Sequence, residues 1–214
     1  APSSEIARTI ATYESVGASH TNLLDQVISQ INPTVRLELQ AIRQLCNSEF
    51  GIDRVPDPDD RLRMYRNLIA VAPAERIPRH RLIRSLLNRE SFGEAENAIR
   101  EAVDTVGEDR PLARYAVRLQ RERATHTTGL TDHQVRVMLD GAWQRAIDNI
   151  RRFGDDKYSY RELAEVAVQI ARRGGGLERL DEAIGLMDSA VSDLLDPELM
   201  RFVQLYRQRR REVG

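Results

Sequence analysis

One hydrophobic period runs through almost the whole chain. Apolar side chains return every three or four residues between scattered glycines and prolines, as in Leu180, Ala183, Ile184, Met187, Ala190 and Val191. Val135, Met138, Ala142, Ala146 and Ile150 form a second such series. This spacing places each series on one face of a helix, and no stretch shows the sustained β-branched alternation of a strand. A helix with a single apolar stripe needs a neighbour to cover it, so helices joined by short loops pack as antiparallel pairs. The expected fold class is all-α, with those pairs stacked as an irregular α-solenoid or a helical bundle.

Helix starts are legible. Ser91-x-x-Glu94, Thr131-x-x-Gln134 and Ser159-x-x-Glu162 fit the capping box, in which two side chains satisfy free backbone N–H groups reciprocally. Asp57-Pro58 and Asp196-Pro197 set an acceptor before a proline whose missing N–H costs nothing at the first helical position. These signals predict helices over 3–16, 19–31, 34–49, 58–72, 78–88, 92–106, 110–125, 132–152, 160–173, 178–194 and 197–212. The stretch DRVPDPDD (53–60) breaks helix and resists burial. It divides an N-terminal helical segment, 1–52, from a helical-repeat region, 57–214.

Hydrophobic residues make up 41% and charged residues 30%, the balance of a folded, soluble chain. Of the 32 basic residues only Lys157 is a lysine. We read that arginine excess as the codon bias of a GC-rich, bacterial genome rather than as a phosphate-binding role. The single cysteine, Cys46, excludes an internal disulfide and a cysteine-based zinc cluster, and its helical face predicts an inert buried thiol. No run reaches the roughly 20 apolar residues that cross a bilayer. The N-terminal APSSEIARTI lacks a signal-peptide core, so a cytoplasmic location and no membrane partner are expected. Ala1, without an initiator Met, suits a domain cut from a longer protein or removal of Met.

Two stretches repeat a pattern. SFGEAENAIREAV (91–103) and DEAIGLMDSAV (181–191) align with Ala95 over Ala183. Upstream lie Leu82, Ile83 and Leu86 in one copy and Val166, Ala167 and Ile170 in the other, once extra residues are allowed in the RRGGGLER loop. The second helices then carry Ala95, Ile99 and Ala102, or Ala183, Met187 and Ala190. Small residues two turns apart let paired helices approach closely. In these residues the chain resembles the tetratricopeptide repeat, and the fold expectation becomes TPR-like. The copies stand 88 residues apart, which is not a multiple of the usual 34 or so, so the array is irregular. The resemblance implies a scaffold that binds a protein or peptide, and no catalysis.

Catalytic signatures are absent. There is no G-x-x-x-x-G-K-[ST], H-E-x-x-H, G-x-S-x-G or G-x-G-x-x-G. His126, His133 and Asp132 surround one loop, but Thr131 explains that loop as a helix start, so a metal is not expected. The acidic set Glu49, Asp53, Asp57, Asp59 and Asp60 lacks calcium-loop spacing and reads as solvated boundary residues. RRGGG (172–176) reads as a helix C terminus and loop. Its anion-binding reading is the lesser one, because no helix follows the last glycine immediately. No cofactor is expected.

The arginines carry the remaining candidates. Eight lie between Arg61 and Arg89 with one acid, Glu75. Arg110, Arg114, Arg118 and Arg121 share a helix face, and the tail adds Arg207, Arg209, Arg210 and Arg211. The candidate contacts for a partner or a phosphate are Arg79, Arg81, Arg84, Arg114, Arg118 and Arg121. Ion pairs between neighbouring helices are the competing use of these charges. Three functional readings follow: a noncatalytic protein-interaction or regulatory domain, which leads; arginine-mediated binding of nucleic acid or nucleotide phosphate; and the helical sensor portion of a bacterial NTPase or defence effector, suggested by APAERIPRHRLIRSLL (72–87). The identity of the partner and the oligomeric state are not written in these residues.

Overall fold

A computed structural model describes residues 52–214. The helices expected over 3–16, 19–31 and 34–49, with Cys46 and Glu49, lie outside the described residues. The described chain is all-α: a 3-10 turn, Ile52–Arg54, and then eight helices. These are α1 (Pro58–Val71), α2 (Arg76–Asn88), α3 (Phe92–Val106), α4 (Arg110–His126), α5 (Asp132–Arg152), α6 (Lys157–Arg172), α7 (Glu178–Leu194) and α8 (Pro197–Val213). They fall in two compact units, divided between Gly107 and Glu108.

The caps show which start signals operate. Asp57 accepts from the Asp59 N–H at 2.8 Å, and Asp196 from the Glu198 N–H at 2.8 Å. Thr131 and Gln134 form a complete capping box. Two other expected boxes do not form. Ser91 precedes α3 without a side-chain cap bond, because Glu94 turns outward to Arg66 at 2.6 Å. Ser159 does not open its helix: α6 starts earlier, at Lys157, and the Ser159 hydroxyl donates to Asp156 at 2.8 Å. Glu162, expected to complete that box, faces Arg121 instead. In both places the glutamate pairs with an arginine on another helix.

In the first unit α2 packs against α1 on one side and α3 on the other. Its core joins Leu62 and Tyr65 to Leu82, Ile83, Leu86 and Leu87, with Ala95, Ile99 and Ala102 closing it from α3. In the second unit α6 is central and packs against α4, α5, α7 and α8. Alternate helices touch there, α4 with α6 and α6 with α8, and α5 and α7 pack on α6 as well. One apolar cluster runs through this unit, including Trp143, Leu163, Val166, Leu180, Met187 and Tyr206. The alanines of the repeated pattern, Ala95, Ala102, Ala183 and Ala190, are all buried, which is where close helix approach needs small side chains.

Candidate functional site

In the first unit the three candidate arginines of α2 point to two places. Arg81 and Arg84 both donate to Oδ2 of Asp53, at 3.0 and 2.6 Å, and the Tyr65 hydroxyl donates to its other oxygen. Asp53 therefore departs from the expected solvated boundary residue: its side chain is 17% exposed and ties the 3-10 turn to α1 and α2. Burial pushes its carboxyl up, but the Tyr65 hydrogen bond and the Arg84 and Arg81 charges outweigh that and hold it below its ordinary value. Asp57, Asp59 and Asp60 do sit at the surface, as a cap and as partners of Arg89 and Arg63.

Arg79 faces elsewhere and is 4% exposed. Its Nε and Nη2 donate to the Pro73 carbonyl at 3.0 and 2.9 Å, and its Nη1 to Glu101 at 3.3 Å. It thus fastens the α1–α2 turn to α3, at the wall of a cleft of about 530 Å³ floored by Leu82 and Leu86.

The Asp53 hub yields a direct expectation. Asp53→Asn removes the counter-charge that Arg81 and Arg84 share among the described residues and will cost about 2 kcal/mol at neutral pH. Because the native carboxyl lies below its unfolded value of 3.8, its contribution is present above that pH and lost as pH falls through the folded value. Urea titrations followed by helical circular dichroism should therefore separate wild type from variant at pH 7 and show the gap closing as pH falls below 3.8 and through the folded value. A gap that stays constant over that range would refute the pairing.

In the second unit Arg114, Arg118 and Arg121 lie along α4. Arg114 bonds Asp156 at 2.7 Å and lies 5.0 Å from the Tyr158 ring centroid. Arg118 reaches Glu122 at 3.4 Å. Arg121 is the most enclosed, with its side chain 11% exposed, and it meets three carboxylates: Glu122 at 2.8 Å, Glu165 at 3.4 Å and Glu162 at 3.5 Å. Glu165 in turn accepts from the Tyr206 hydroxyl at 2.7 Å and from Arg209 at 2.8 Å.

A charged layer thus runs from α4 across α6 to α8. Burial raises the Glu162 carboxyl against the opposing pull of Arg121 and Arg118. Burial also pushes the Tyr206 phenol up, helped by the Glu165 charge. Glu162, Glu165, Tyr206 and Arg209 were not among the sequence candidates. In the sequence Glu162 reads only as half of a capping box and Arg209 only as one of the tail arginines, and two glutamates three residues apart on α6 are the signal for the carboxylate pair.

The tail arginines are also engaged: Arg207 with Asp188, Arg209 with Glu165, and Arg210 with Asp181. Arg161, exposed on α6, makes no ion pair among the described residues and lies 5.7 Å from the Phe202 ring centroid. Tyr158 and Phe202 stand beside each other at 6.2 Å, so α6 and α8 present an aromatic pair flanked by Arg114, Lys157 and Arg161. Among the described residues no three His, Cys, Asp or Glu side chains gather as a metal site. No described helix is long and apolar enough to cross a membrane. No protein-family model, curated protein or solved structure matches the chain at a significant level.

Proposed function

We propose that this chain is a noncatalytic interaction module of irregular, TPR-like helical repeats that docks a protein or peptide segment. The observation that carries the reading is the face shared by α4, α6 and α8. There alternate helices pack side by side, and an exposed Tyr158 stands against Phe202 beside Arg161, which has no ion-pair partner among the described residues. Aromatic and arginine side chains are the groups that most often anchor protein interfaces, because each offers large contact area and a polar handle. The partner that fits is a segment with an apolar side chain for the ring pair and a carboxylate for Arg161.

The internal engagement of Arg79, Arg81, Arg84, Arg114, Arg118 and Arg121 favours this partner over a polyanion, since a phosphate backbone would have to displace carboxylates already in place.

Selection of peptides from a displayed random library on the 214-residue chain tests the reading. Selected peptides should pair acidic with apolar residues, and Tyr158→Ala together with Arg161→Glu should weaken them by at least about tenfold. Binding that ignores both substitutions, or a library that yields no binder while single-stranded nucleic acid binds at low salt, would overturn it.

A further inference from the structure

The second unit has a cleft of about 550 Å³ between the first turns of α5, the end of α6 and the start of α7. Its volume falls within the range that holds small molecules. Three guanidinium groups line it, one from each element: Arg136, Arg173 and Arg179. Val135, Leu139 and Ile170 line it with apolar surface.

The backbone explains how Arg173 comes to stand there. Gly175 N–H bonds the Ile170 carbonyl at 3.0 Å and Gly174 N–H the Ala171 carbonyl at 3.0 Å, the paired bonds of a Schellman cap. Gly174 takes the left-handed conformation with φ +77°. A Cβ at Gly175 would lie 2.4 Å from Ile170 Cγ2 and 2.9 Å from its carbonyl oxygen, so only glycine fits against α6. RRGGG is thus a tight cap rather than a loose loop. It fixes Arg173 at the last turn of α6, where Nη2 donates to the Ala124 carbonyl at 3.3 Å.

The charges do not cancel within the cleft. Asp140 stands one turn from Arg136 on α5 but is taken by Arg179 from α7. Arg136 makes no ion pair among the described residues, and Arg173 bonds only a neutral carbonyl. Asp132 also lines the cleft, in the first turn of α5, where the helix end favours a carboxylate. Arg136 and Arg173 therefore line the cleft without carboxylate partners among the described residues, beside apolar surface. At the start of α7 the Glu178 carboxylate lies against Gly176.

We propose that this cleft binds a small organic phosphomonoester, the dianionic phosphate held by Arg136 and Arg173 and the organic body lying on Val135, Leu139 and Ile170. Guanidinium groups match phosphate oxygens through paired, charge-assisted hydrogen bonds, and the lining keeps a net positive charge, three arginines against Asp132 and Asp140. Arg179 forms the third wall, with its guanidinium carbon 5.5 Å from the Trp143 ring centroid. Trp143 is the only tryptophan in the chain and so reports on events in the cleft.

Titrating the full chain with phenyl phosphate, inorganic phosphate and benzoate, read by Trp143 fluorescence and by calorimetry, tests the site. Phenyl phosphate should bind saturably at one site, at least about tenfold more tightly than either of the other two, since each lacks one half of the recognition. Arg136→Gln with Arg173→Gln should weaken phenyl phosphate by at least about tenfold with helicity unchanged, while Arg201→Gln, an exposed arginine on α8, should have no effect. Absence of saturable binding at millimolar ligand, equal affinity for inorganic phosphate or benzoate, or an undiminished double variant would each overturn the assignment. None of these outcomes bears on peptide binding at the α4, α6 and α8 face.

Discussion

Arg121→Ala is expected to lower the stability of the 108–214 unit by about 3–5 kcal/mol, the cost of removing one partner from a buried ion cluster. Three carboxylates meet this one guanidinium, and its side chain is 11% exposed. At an effective dielectric near 20, each contact near 3.5 Å is worth roughly 5 kcal/mol, while each buried ion has lost several kcal/mol of hydration. The cluster as built is therefore near balance. Deletion is costly because Glu162 and Glu165 stay enclosed with less opposing charge, not because the cluster is a large net stabiliser.

The pH dependence separates this account from simple loss of packing. Burial, the foremost influence on Glu162, raises its folded carboxyl above the unfolded value of 4.5. Its contribution is then fully present below that pH and is lost as pH rises through the folded value. Removing Arg121 extends the loss upward, so the Arg121→Ala deficit should be largest at and above neutral pH and shrink toward pH 4.5. Adding Glu162→Gln should recover part of it by removing one buried charge. Urea unfolding followed by Trp143 fluorescence measures each variant, and a deficit below about 1 kcal/mol, or one flat with pH, would sink the argument.

How far the sequence foretold this arrangement depends on the kind of force involved. The described helices match their expected spans within a few residues, because apolar period, Asp-Pro starts and glycine stops all act within a few residues of chain. The buried alanines of α3 and α7 were readable for the same reason. Charge partners were not, since they lie far apart: Arg114 with Asp156 is 42 residues distant, and Arg209 with Glu165 is 44. Where such a partner was on offer, the local expectation failed, and Glu94 and Glu162 both left their predicted capping boxes for an arginine on another helix. The Arg136 and Arg173 cleft was half visible. RRGGG marked a helix end, but nothing local placed the first turn of α5 beside it.

Leu163→Ala carries the other large effect. Leu163 is wholly buried on α6, the one helix in its unit that touches the other four. Truncating a buried leucine costs about 2–5 kcal/mol, the spread depending on how far the surroundings collapse into the space left behind. Collapse here is opposed from several directions, because α6 cannot approach one neighbour without leaving another. The deficit should therefore lie in the upper half of that range, seen as a lower urea midpoint in the Trp143 transition with an unchanged slope. Leu195, 81% exposed after α7, provides the control, since the same truncation there should change stability by less than about 0.5 kcal/mol. A small Leu163→Ala deficit would mean that the α4–α8 packing relaxes freely, which is incompatible with α6 as the fixed spine on which both the α4, α6 and α8 face and the cleft between α5, α6 and α7 depend.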